Sequence, residues 1–400
     1  MEKKENIYVI IGNGIAGLTA AAEIRKADET AIVKIISQEN YLTYYRVKLS
    51  HYISKDFEPK ELFIHDENWY KEREIELILG KKVKRIDAEN MHVVLVDDKE
   101  VPYDKLLIAN GSSAFVPPVK GKEKAGVYAL RSLKDLMKIQ DYLKDCIEVA
   151  IIGGGLLGME AAWALKERGL NVHVIEFSPY LLPRQLDEEL ATFVKEKLEE
   201  KGLNIHIGAA TQEIIGNTKA TGVGIKDGRI INGEMILFST GIRPNINIAN
   251  DTKIKVDKGI LVDEAMETSI PNIYAAGDIA QISDGAMGLW SVAMDQGKVA
   301  GMNMVGNKTS YKPVQPATLL SIGGFSLFSM GVIDKEKETI AFKNKEVFHK
   351  LFTEKGKLVG GVLAGDTKKM VKLKRAVADQ IDLQDMMDKG LDALEIINEW

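Results

Sequence analysis

The chain contains two glycine-rich loops, and each stands between an apolar run and a helix-like segment. The first lies in IYVIIGNGIAGLTAAAEI, residues 7–24, and the second in IEVAIIGGGLLGMEAAWAL, residues 147–165. A second apolar run follows each copy, first as AIVKIIS and then as NVHVIE. This order predicts two strand–loop–helix–strand units. Gly12 and Gly153 lie 141 residues apart, so the repeat is a duplication on the scale of a domain.

The glycines of each loop favour a pyrophosphate site. In this pattern the first glycine allows a tight turn, the second lets a ligand approach the backbone, and the third lets the helix pack on the strand. The N–H groups at the start of the helix then face the ligand. An isolated GxGxxG can also be a plain structural turn, but the flanking strands and helices favour dinucleotide binding. The predicted ligand-binding glycines are Gly12, Gly14, Gly17, Gly153, Gly155 and Gly158.

A carboxylate after the second strand of each unit is the candidate ribose contact. Glu176 ends NVHVIE, 23 residues after Gly153, where a carboxylate can bind both adenosine ribose hydroxyls. Because a carboxylate repels a 2′-phosphate, Glu176 favours NADH over NADPH, although the nearby Arg184 keeps NADPH open. In the first unit the equivalent position is Ile35, and Glu39 is the candidate ribose contact. A solvated loop carboxylate is the alternative for Glu39.

Composition limits the other classes of function. The chain has 400 residues, 45% of them hydrophobic and 28% charged, which predicts two or three globular domains. Its net charge of −5 argues against general nucleic-acid binding. No apolar run approaches the about 20 residues of a membrane span. The start MEKKEN is unlike a signal peptide. A cytoplasmic protein without nucleic-acid or membrane partners is therefore expected.

A single cysteine excludes several kinds of site. Cys146 has no partner for an internal disulfide, and one thiol cannot ligate an iron–sulfur cluster or build a cysteine-rich zinc site. We therefore predict no metal site. Cys146 itself precedes an apolar run and is expected to be a small buried hydrophobe.

Three further segments resemble one family of flavoproteins. YDKLLIANGSSAFVPP resembles its strand-plus-ATG segment, with Asn110 in place of the usual Thr, and EMILFSTGIRPN resembles its second crossover motif. IPNIYAAGDIAQ resembles its second FAD motif. With both glycine loops, five motifs occur in order, and the chain is identified as a member of the class I pyridine nucleotide-disulfide oxidoreductase superfamily. Within it, YLTYYRVKLS and GLWSVAMDQGKVAGMNMVG are most similar to NADH:rubredoxin oxidoreductases and to the flavin portion of NADH-dependent nitrite reductases.

The resemblance implies an α/β fold like that of glutathione reductase. It would contain two Rossmann-like three-layer dinucleotide-binding domains and a small α+β C-terminal domain. A discontinuous FAD-binding domain would span 1–112 and 244–313, an NAD(H)-binding domain 113–243, and the C-terminal domain 314–400. In the C-terminal domain we predict two helical stretches, Thr367–Ile381 and Leu383–Trp400. Relatives leave a monomer and a homodimer equally open.

The resemblance also implies roles for individual residues. Asp278 would bind the ribityl chain of FAD, and Arg46 and Lys48 would lie along FAD, with Lys48 near the flavin ring. Glu160 would lie near the nicotinamide, so Lys48 and Glu160 are the implied catalytic residues. The other implied FAD contacts are Gly12, Gly14, Gly17, Glu39, Asn110, Gly111, Gly277, Trp290 and Gln296. The implied NADH contacts are Gly153, Gly155, Gly158, Glu160, Glu176 and Gly241.

The missing thiols restrict the chemistry that the resemblance implies. Many relatives carry a CxxxxC pair, or one peroxide-reactive cysteine, where this sequence reads YYRVKLSHYI. Transfer of electrons from flavin to a disulfide is therefore excluded, and the imidazole of His51 is no substitute because it is not a two-electron relay. Electrons from NADH would pass to FAD and then directly to an external acceptor. A rubredoxin or a similar small acidic electron carrier is the favoured acceptor.

Three alternative functions stay open. The first is a ferredoxin-type reductase or a cysteine-free NADH oxidase. The second is the flavin subunit of an NADH-dependent nitrite reductase, which would need a partner subunit for its iron–sulfur and sirohaem groups. The third, outside the enzymes, is a flavin-binding sensor.

Charge is unevenly distributed near the C-terminus. Residues 341–375 contain ten Lys and Arg against three Asp and Glu, whereas residues 376–400 contain one Lys and seven acids. The basic part could steer an acidic partner, and solvated helix faces are the alternative. The candidate docking residues are Lys368, Lys369, Lys372, Lys374 and Arg375.

Overall fold

A computed structural model describes residues 5–282, 288–313 and 315–400. They form two compact units: the first from residues within 1–48, 57–114 and 241–314, the second from 49–56, 115–240 and 315–400. The chain passes from one unit to the other between residues 114 and 115 and again between residues 240 and 241. The sequence predicts domain boundaries close by, at 112/113 and 243/244. The predicted start of the C-terminal domain, residue 314, lies outside the described residues. The domain boundaries stay a prediction.

Residues 5–114 supply most of a parallel sheet in the first unit. Strand β1 is buried at four of its five residues, as expected for an inner strand covered on both faces. It pairs in parallel with β2 and β7, while β4, β5 and β6 form an antiparallel sheet. The elements are β1 (Ile7–Ile11), α1 (Ile15–Ala27), β2 (Ile32–Ile36), α2 (Glu67–Lys71), β3 (Ile75–Ile78), β4 (Val83–Asp87), β5 (His92–Leu95), β6 (Glu100–Pro102), β7 (Lys105–Ile108) and β8 (Ser112–Ala114), with 3₁₀ turns at Arg46–Lys48 and Pro59–Leu62.

Residues 115–240 repeat this arrangement in the second unit. The elements are β9 (Val127–Ala129), α3 (Leu133–Tyr142), β10 (Glu148–Ile152), α4 (Leu156–Glu167), β11 (Asn171–Ile175), α5 (Glu188–Glu200), β12 (Asn204–His206), β13 (Thr211–Ile215), β14 (Gly222–Ile225), β15 (Ile230–Asn232) and β16 (Met235–Phe238), with a 3₁₀ turn at Leu143–Asp145. The separate segment 49–56 of this unit contains a 3₁₀ turn at Ser50–Tyr52. A parallel sheet has the order β12-β11-β10-β16-β9, and β13, β14 and β15 form an antiparallel sheet. The second glycine loop follows β10 as the first follows β1.

Residues 241–313 complete the first unit. The elements are β17 (Ile242–Pro244), a 3₁₀ turn (Ile246–Ala249), β18 (Ile260–Leu261), β19 (Ile273–Ala275), β20 (Ala280–Gln281) and α6 (Trp290–Met304). Strand β19 joins β7, which gives the sheet order β19-β7-β1-β2-β3. Helix α6 packs so closely on α1 that a Cβ on Gly297 would lie only 2.3 Å from the carbonyl oxygen of Ala16. The glycine therefore allows α6 to lie against the helix that follows the first loop.

Residues 315–400 form an antiparallel sheet and three helices within the second unit. The sheet order is β21-β22-β25-β24-β23. The elements are β21 (Ala317–Ile322), β22 (Phe325–Gly331), β23 (Glu338–Lys343), β24 (Phe348–Glu354), β25 (Lys357–Gly365), α7 (Met370–Ala378), α8 (Gln384–Asp388) and α9 (Ala393–Glu399). The predicted α/β fold with a separate C-terminal α+β part is confirmed.

The prediction of one continuous helical stretch over Leu383–Trp400 is wrong. It contains α8 and α9, separated at Gly390, whose φ is +70°. Asp392 then caps α9, since its side chain accepts a hydrogen bond from the N–H of Glu395. A left-handed glycine followed by a new N-cap ends one helix and starts the next.

A buried ion pair joins the C-terminal sheet to the start of α5 within the second unit. The Nζ of Lys350 on β24 lies 2.7 Å from Oδ2 of Asp187, and the two side chains are only 10% and 8% exposed. Glu189 Oε2 lies 3.1 Å from the same Nζ. Asp187 also caps α5, because its Oδ1 accepts the N–H of Leu190 at 3.0 Å. One carboxylate thus fixes both a helix end and a buried cation.

Asp187→Ala is expected to destabilise the second unit by about 3 kcal/mol, because the buried Lys350 loses its nearest countercharge. Loss of the helix cap adds about 1 kcal/mol. Asp187→Asn keeps a capping oxygen and should lose only the charge contribution. Urea unfolding followed by circular dichroism measures both variants, with the exposed Glu188→Ala as a control. An Asp187→Ala protein as stable as Glu188→Ala would contradict the expectation.

Candidate functional site: two glycine loops and their surroundings

Both glycine loops have the local geometry that their sequences predict. Gly12 and Gly153 have φ of +114° and +119°, which disfavours any residue with a Cβ. A Cβ on Gly17 would lie 2.1 Å from the oxygen of Gly12, and a Cβ on Gly158 would lie 2.1 Å from the oxygen of Gly153. The third glycine of each loop therefore lets the helix pack against the turn.

The middle glycines, Gly14 and Gly155, border open space. They are the N-cap residues of α1 and α4, and neither helix has a side-chain N-cap hydrogen bond in the described part of the chain. A Cβ on either glycine would meet no described atom within 4 Å. The first N–H groups of both helices are thus left for an anion. A dinucleotide pyrophosphate fits both loops.

The turn after β19 lies beside the first loop. Gly277 has φ of +80°, and a Cβ on it would lie 3.2 Å from the Cβ of Ala16 on α1. Its N–H donates to Oε1 of Gln296 at 2.9 Å. The neighbouring Asp278 accepts a hydrogen bond from the Ser112 hydroxyl at 2.8 Å. The fold therefore brings Gly277, Asp278 and Gln296 together near the first loop, and Ser112 is a partner that the sequence analysis missed.

Asn110 also lies next to the first loop, since a Cβ added to Gly12 would lie 2.9 Å from the backbone nitrogen of Asn110. Its Nδ2 donates to the oxygen of Asn245 at 3.1 Å, and Asn245 Nδ2 donates back to the oxygen of Asn110 at 2.9 Å. Gly111 follows with φ of +63°. The Oδ1 of Asn110 is buried and has no hydrogen-bond partner among the described residues. A buried acceptor of this kind suits a donor on a bound group.

Glu39 has two partners of its own. Its Oε2 accepts from the Tyr44 hydroxyl at 2.7 Å, and its Oε1 lies 2.7 Å from Nη2 of Arg46. The Arg46 guanidinium also lies over the Tyr44 ring, 4.7 Å from its centroid. The carboxylate keeps acceptor capacity beyond these two contacts. The ribose contact predicted for Glu39 therefore stays a prediction.

Lys48 and Trp290 both contact Tyr45. The Nζ of Lys48 lies 4.3 Å from the centroid of the Tyr45 ring. Trp290, the first residue of α6, stacks on the same ring with centroids 5.9 Å apart. Tyr45 was not among the predicted residues, although the paired tyrosines of YLTYYRVKLS were a visible signal. It holds two of the predicted flavin-side residues in one cluster.

Glu176 is fixed at the second loop. It is 9% exposed. Its Oε2 accepts the N–H of Gly154 at 2.6 Å, and its Oε1 accepts the N–H of Ser178 at 2.7 Å. The next residue, Phe177, is 76% exposed. The carboxylate is therefore oriented at the end of β11, with an exposed aromatic ring beside it in the chain.

Glu160 lies on α4 and is bonded to Ser50. The Ser50 hydroxyl donates to Oε2 of Glu160 at 2.8 Å. Burial raises the pKa of Glu160, while the Ser50 hydrogen bond and the charge of His51 oppose the rise. Gly241, also predicted to contact NADH, has φ of +102° and begins the last stretch of the first unit. The structure therefore assigns Gly241 and Glu160 to different units.

Cys146 is half-buried, not fully buried as expected, and its thiol donates to the oxygen of Tyr142 at 3.4 Å. Burial, with the charges of Glu234 and Asp145, raises the pKa of the thiol to about 11. The thiol is therefore protonated and a poor nucleophile near neutral pH. Within the described ranges, no three His, Cys, Asp or Glu side chains are arranged to hold a metal ion. The described helices include none with the length and apolarity to cross a bilayer.

Two family matches cover most of the chain. Residues 7–297 match the pyridine nucleotide-disulphide oxidoreductase family. Residues 316–381 match the rubredoxin NAD+ reductase C-terminal domain. The second match begins at residue 316, one residue before β21, the first strand of the C-terminal sheet.

Individual relatives are similar over nearly the whole chain. A nitrite reductase [NAD(P)H] of Bacillus subtilis is 34% identical, over 96% of this chain and 48% of that protein, so the chain spans about half its length. An NADH oxidase of Methanocaldococcus jannaschii is 33% identical, over 98% of this chain and 93% of that protein. The crystal structure of NADH:rubredoxin oxidoreductase from Clostridium acetobutylicum is 30% identical, with a TM-score of 0.85, covering 99% of this chain and 100% of that one.

Proposed function

We infer the function from the premise that this chain belongs to the pyridine nucleotide-disulphide oxidoreductase family. We propose that it is an FAD-dependent NADH oxidoreductase that passes electrons to a small iron–sulfur carrier, a rubredoxin or a similar acidic protein. One observation carries the proposal: two open dinucleotide loops occur in a chain that has a single cysteine. Two dinucleotides in one protein favour electron transfer between them, and a single thiol leaves no disulfide to receive the electrons.

In this proposal the first unit holds FAD. The N–H groups at the start of α1, exposed at Gly14, would bind the pyrophosphate. Asp278, oriented by Ser112, would accept hydrogen bonds from the ribityl hydroxyls, and the buried Oδ1 of Asn110 would gain a donor. Lys48 would place a positive charge near the flavin ring. FAD, when bound, can accept a hydride and return electrons to an acceptor.

The second unit would bind NADH. Gly155 leaves the start of α4 open to its pyrophosphate, and Glu176 would accept hydrogen bonds from the adenosine ribose. Glu160, the fifth residue of α4, would face the nicotinamide end. A raised pKa gives this carboxyl the capacity to hold or release a proton there.

Anaerobic turnover of the purified protein tests the proposal. NADH should bleach the flavin absorbance within seconds, and added rubredoxin should restore it and be reduced. Ferredoxin and oxygen, assayed in parallel, report on the choice of acceptor. A flavin that NADH does not bleach, or a reduced flavin that rubredoxin does not reoxidise, would overturn the proposal.

The second candidate function is an NADH oxidase, favoured by the similarity to the protein of that name from Methanocaldococcus jannaschii. It predicts steady oxygen consumption at a rate comparable to rubredoxin turnover. Cys146 could not support a thiol-based route, because its pKa is raised to about 11. Any reaction with oxygen would therefore occur at the flavin itself.

The basic face of α7 is our proposed docking site for the carrier. Lys372, Lys374 and Arg375 are exposed on this helix, and Lys368 is exposed just before it. Val371, in the middle of these cations, is 71% exposed. A cationic rim around an apolar side chain complements an acidic protein surface, and the rim charges would act chiefly on the rate of encounter.

Reversing three of these charges, in the variant Lys368→Glu/Lys372→Glu/Lys374→Glu, is expected to slow rubredoxin reduction by about tenfold at low salt. Ferricyanide reduction should change less, because a small ion needs no docked complex. Added salt should slow the wild-type rubredoxin reaction and have little effect on the variant. Stopped-flow rates at several ionic strengths measure this. Equal losses with both acceptors would count against the docking site.

The control variant reverses three exposed lysines of the first unit: Lys253, Lys255 and Lys258. It changes the net charge of the chain by the same amount. A slowing of rubredoxin reduction as large as that of the α7 variant would show that net charge, and not the α7 face, sets the rate.

A further inference from the structure

A short segment, residues 49–56, packs with the second unit, although the chain on both sides of it belongs to the first. Arg168 Nη1 donates to the oxygen of Ile53 at 3.4 Å, and Gln140 Nε2 donates to the oxygen of Tyr52 at 2.8 Å. Ile53 has no exposed surface. Side chains from the end of α4 and from α3 therefore hold the backbone of this segment.

The segment brings one hydroxyl to the predicted nicotinamide-side carboxylate. Ser50 is 3% exposed, and its Oγ lies 2.8 Å from Oε2 of Glu160. The two residues are 110 positions apart in sequence. Ser50 also follows Lys48 by only two residues. In the sequence, the predicted flavin-side cation thus comes just before the segment that carries the partner of the predicted nicotinamide-side carboxylate.

We propose that Ser50 is a positioning residue for NADH oxidation, whose hydroxyl holds the Glu160 carboxylate in one orientation and stabilises its ionised form. The inference rests on the proposed function, which places Glu160 beside the nicotinamide. It adds a role that neither the glycine loops nor the flavin-side residues supply.

Ser50 is expected to act on the pKa of the Glu160 carboxyl. Burial raises the pKa of this carboxyl, and two groups lower it: the Ser50 hydroxyl, by a hydrogen bond, and the exposed His51, by its charge. Of the elements that contact α4 in the second unit, the 3₁₀ turn Ser50–Tyr52 also carries Tyr52, and β21 carries no titratable side chain. Strands β10 and β11 carry Glu148 and His173, which are paired with each other at 2.9 Å. A hydrogen bond to the charged form lowers a pKa, so removing the hydroxyl should raise it.

Ser50→Ala should therefore shift the acid limb of the pH profile upward by about one pH unit, the shift that a lost hydrogen bond to a carboxylate gives. The measured quantity is the rate of anaerobic flavin bleaching by NADH across pH. At a pH on that limb the rate should fall by about tenfold for a shift of one unit. Ser50→Thr keeps the hydroxyl and should restore the wild-type profile. Thr192→Ala, which removes an exposed hydroxyl from α5, is the matched control.

A second measurement follows Glu160 without turnover. In protein labelled with ¹³C-glutamate, the side-chain carboxyl shift of Glu160, assigned by its loss in Glu160→Gln, should titrate at higher pH in Ser50→Ala than in wild type. Identical titrations and identical pH profiles would overturn the inference while leaving the proposed function intact. A wild-type flavin that NADH does not bleach would overturn the proposed function, and the carboxyl titration would still decide whether Ser50 stabilises ionised Glu160.

Discussion

Gly14→Val is expected to give a folded protein that retains no FAD. Gly155→Val should keep FAD and lose reduction by NADH. Both glycines have ordinary extended backbone conformations, with φ of −90° and −80°, and a Cβ on either meets no described atom within 4 Å. The chain therefore tolerates the side chain, apart from about 1 kcal/mol for a poorer N-cap. The valine would instead occupy the space where the pyrophosphate must approach the helix.

The two variants serve as controls for each other. Flavin absorbance after gel filtration measures FAD retention, circular dichroism measures folding, and anaerobic bleaching measures reaction with NADH. We expect Gly14→Val to be colourless and folded. Gly155→Val should be yellow, with an apparent affinity for NADH lowered by at least about 100-fold, equivalent to about 2.8 kcal/mol. A yellow Gly14→Val protein, or a colourless Gly155→Val protein with wild-type folding, would show that the ligands of the two loops are assigned wrongly.

The glycine loops could be predicted from sequence because each glycine acts on residues next to it in the chain. Gly17 packs on Gly12 and Gly158 on Gly153, five residues away in both cases. Spacing alone therefore carries the geometry. The break between α8 and α9 was equally local: Asp392 and Glu395 form a capping box at the start of α9, a pattern readable as DALE in the sequence.

The partners of the predicted side chains could not be read in the same way. Ser112 and Asp278 are 166 residues apart, and Asn110 and Asn245 are 135 apart. Such pairs exist only once the parallel sheets have set the order of their strands, and nothing in the flanking sequence marks a serine or an asparagine as a partner. The sequence can name the residue with the chemistry, whereas the residue that orients it emerges from the fold.

Glu176→Gln/Phe177→Arg is expected to change the nucleotide preference from NADH to NADPH. The Glu176 carboxylate, held by the N–H groups of Gly154 and Ser178, would repel a 2′-phosphate at the adenosine ribose. Glutamine removes that repulsion and keeps an oxygen for a backbone N–H. Arginine at the exposed position 177 adds a cation that can pair with the phosphate. Each substitution should raise the ratio of kcat/KM for NADPH to kcat/KM for NADH by about tenfold, so the double variant should raise this ratio by about 100-fold.

The single variants separate the two contributions. Glu176→Gln should mainly weaken the use of NADH, because a ribose hydroxyl loses its charged acceptor, whereas Phe177→Arg should mainly improve the use of NADPH. Phe177→Leu, which changes the exposed ring without adding charge, is the control for Phe177→Arg. If the double variant kept the wild-type preference, the adenosine ribose would not lie at the end of β11. Glu176 would then have only a structural role, in which its carboxylate holds the backbone of Gly154 and Ser178 in place. Its two short hydrogen bonds to these N–H groups are consistent with that role.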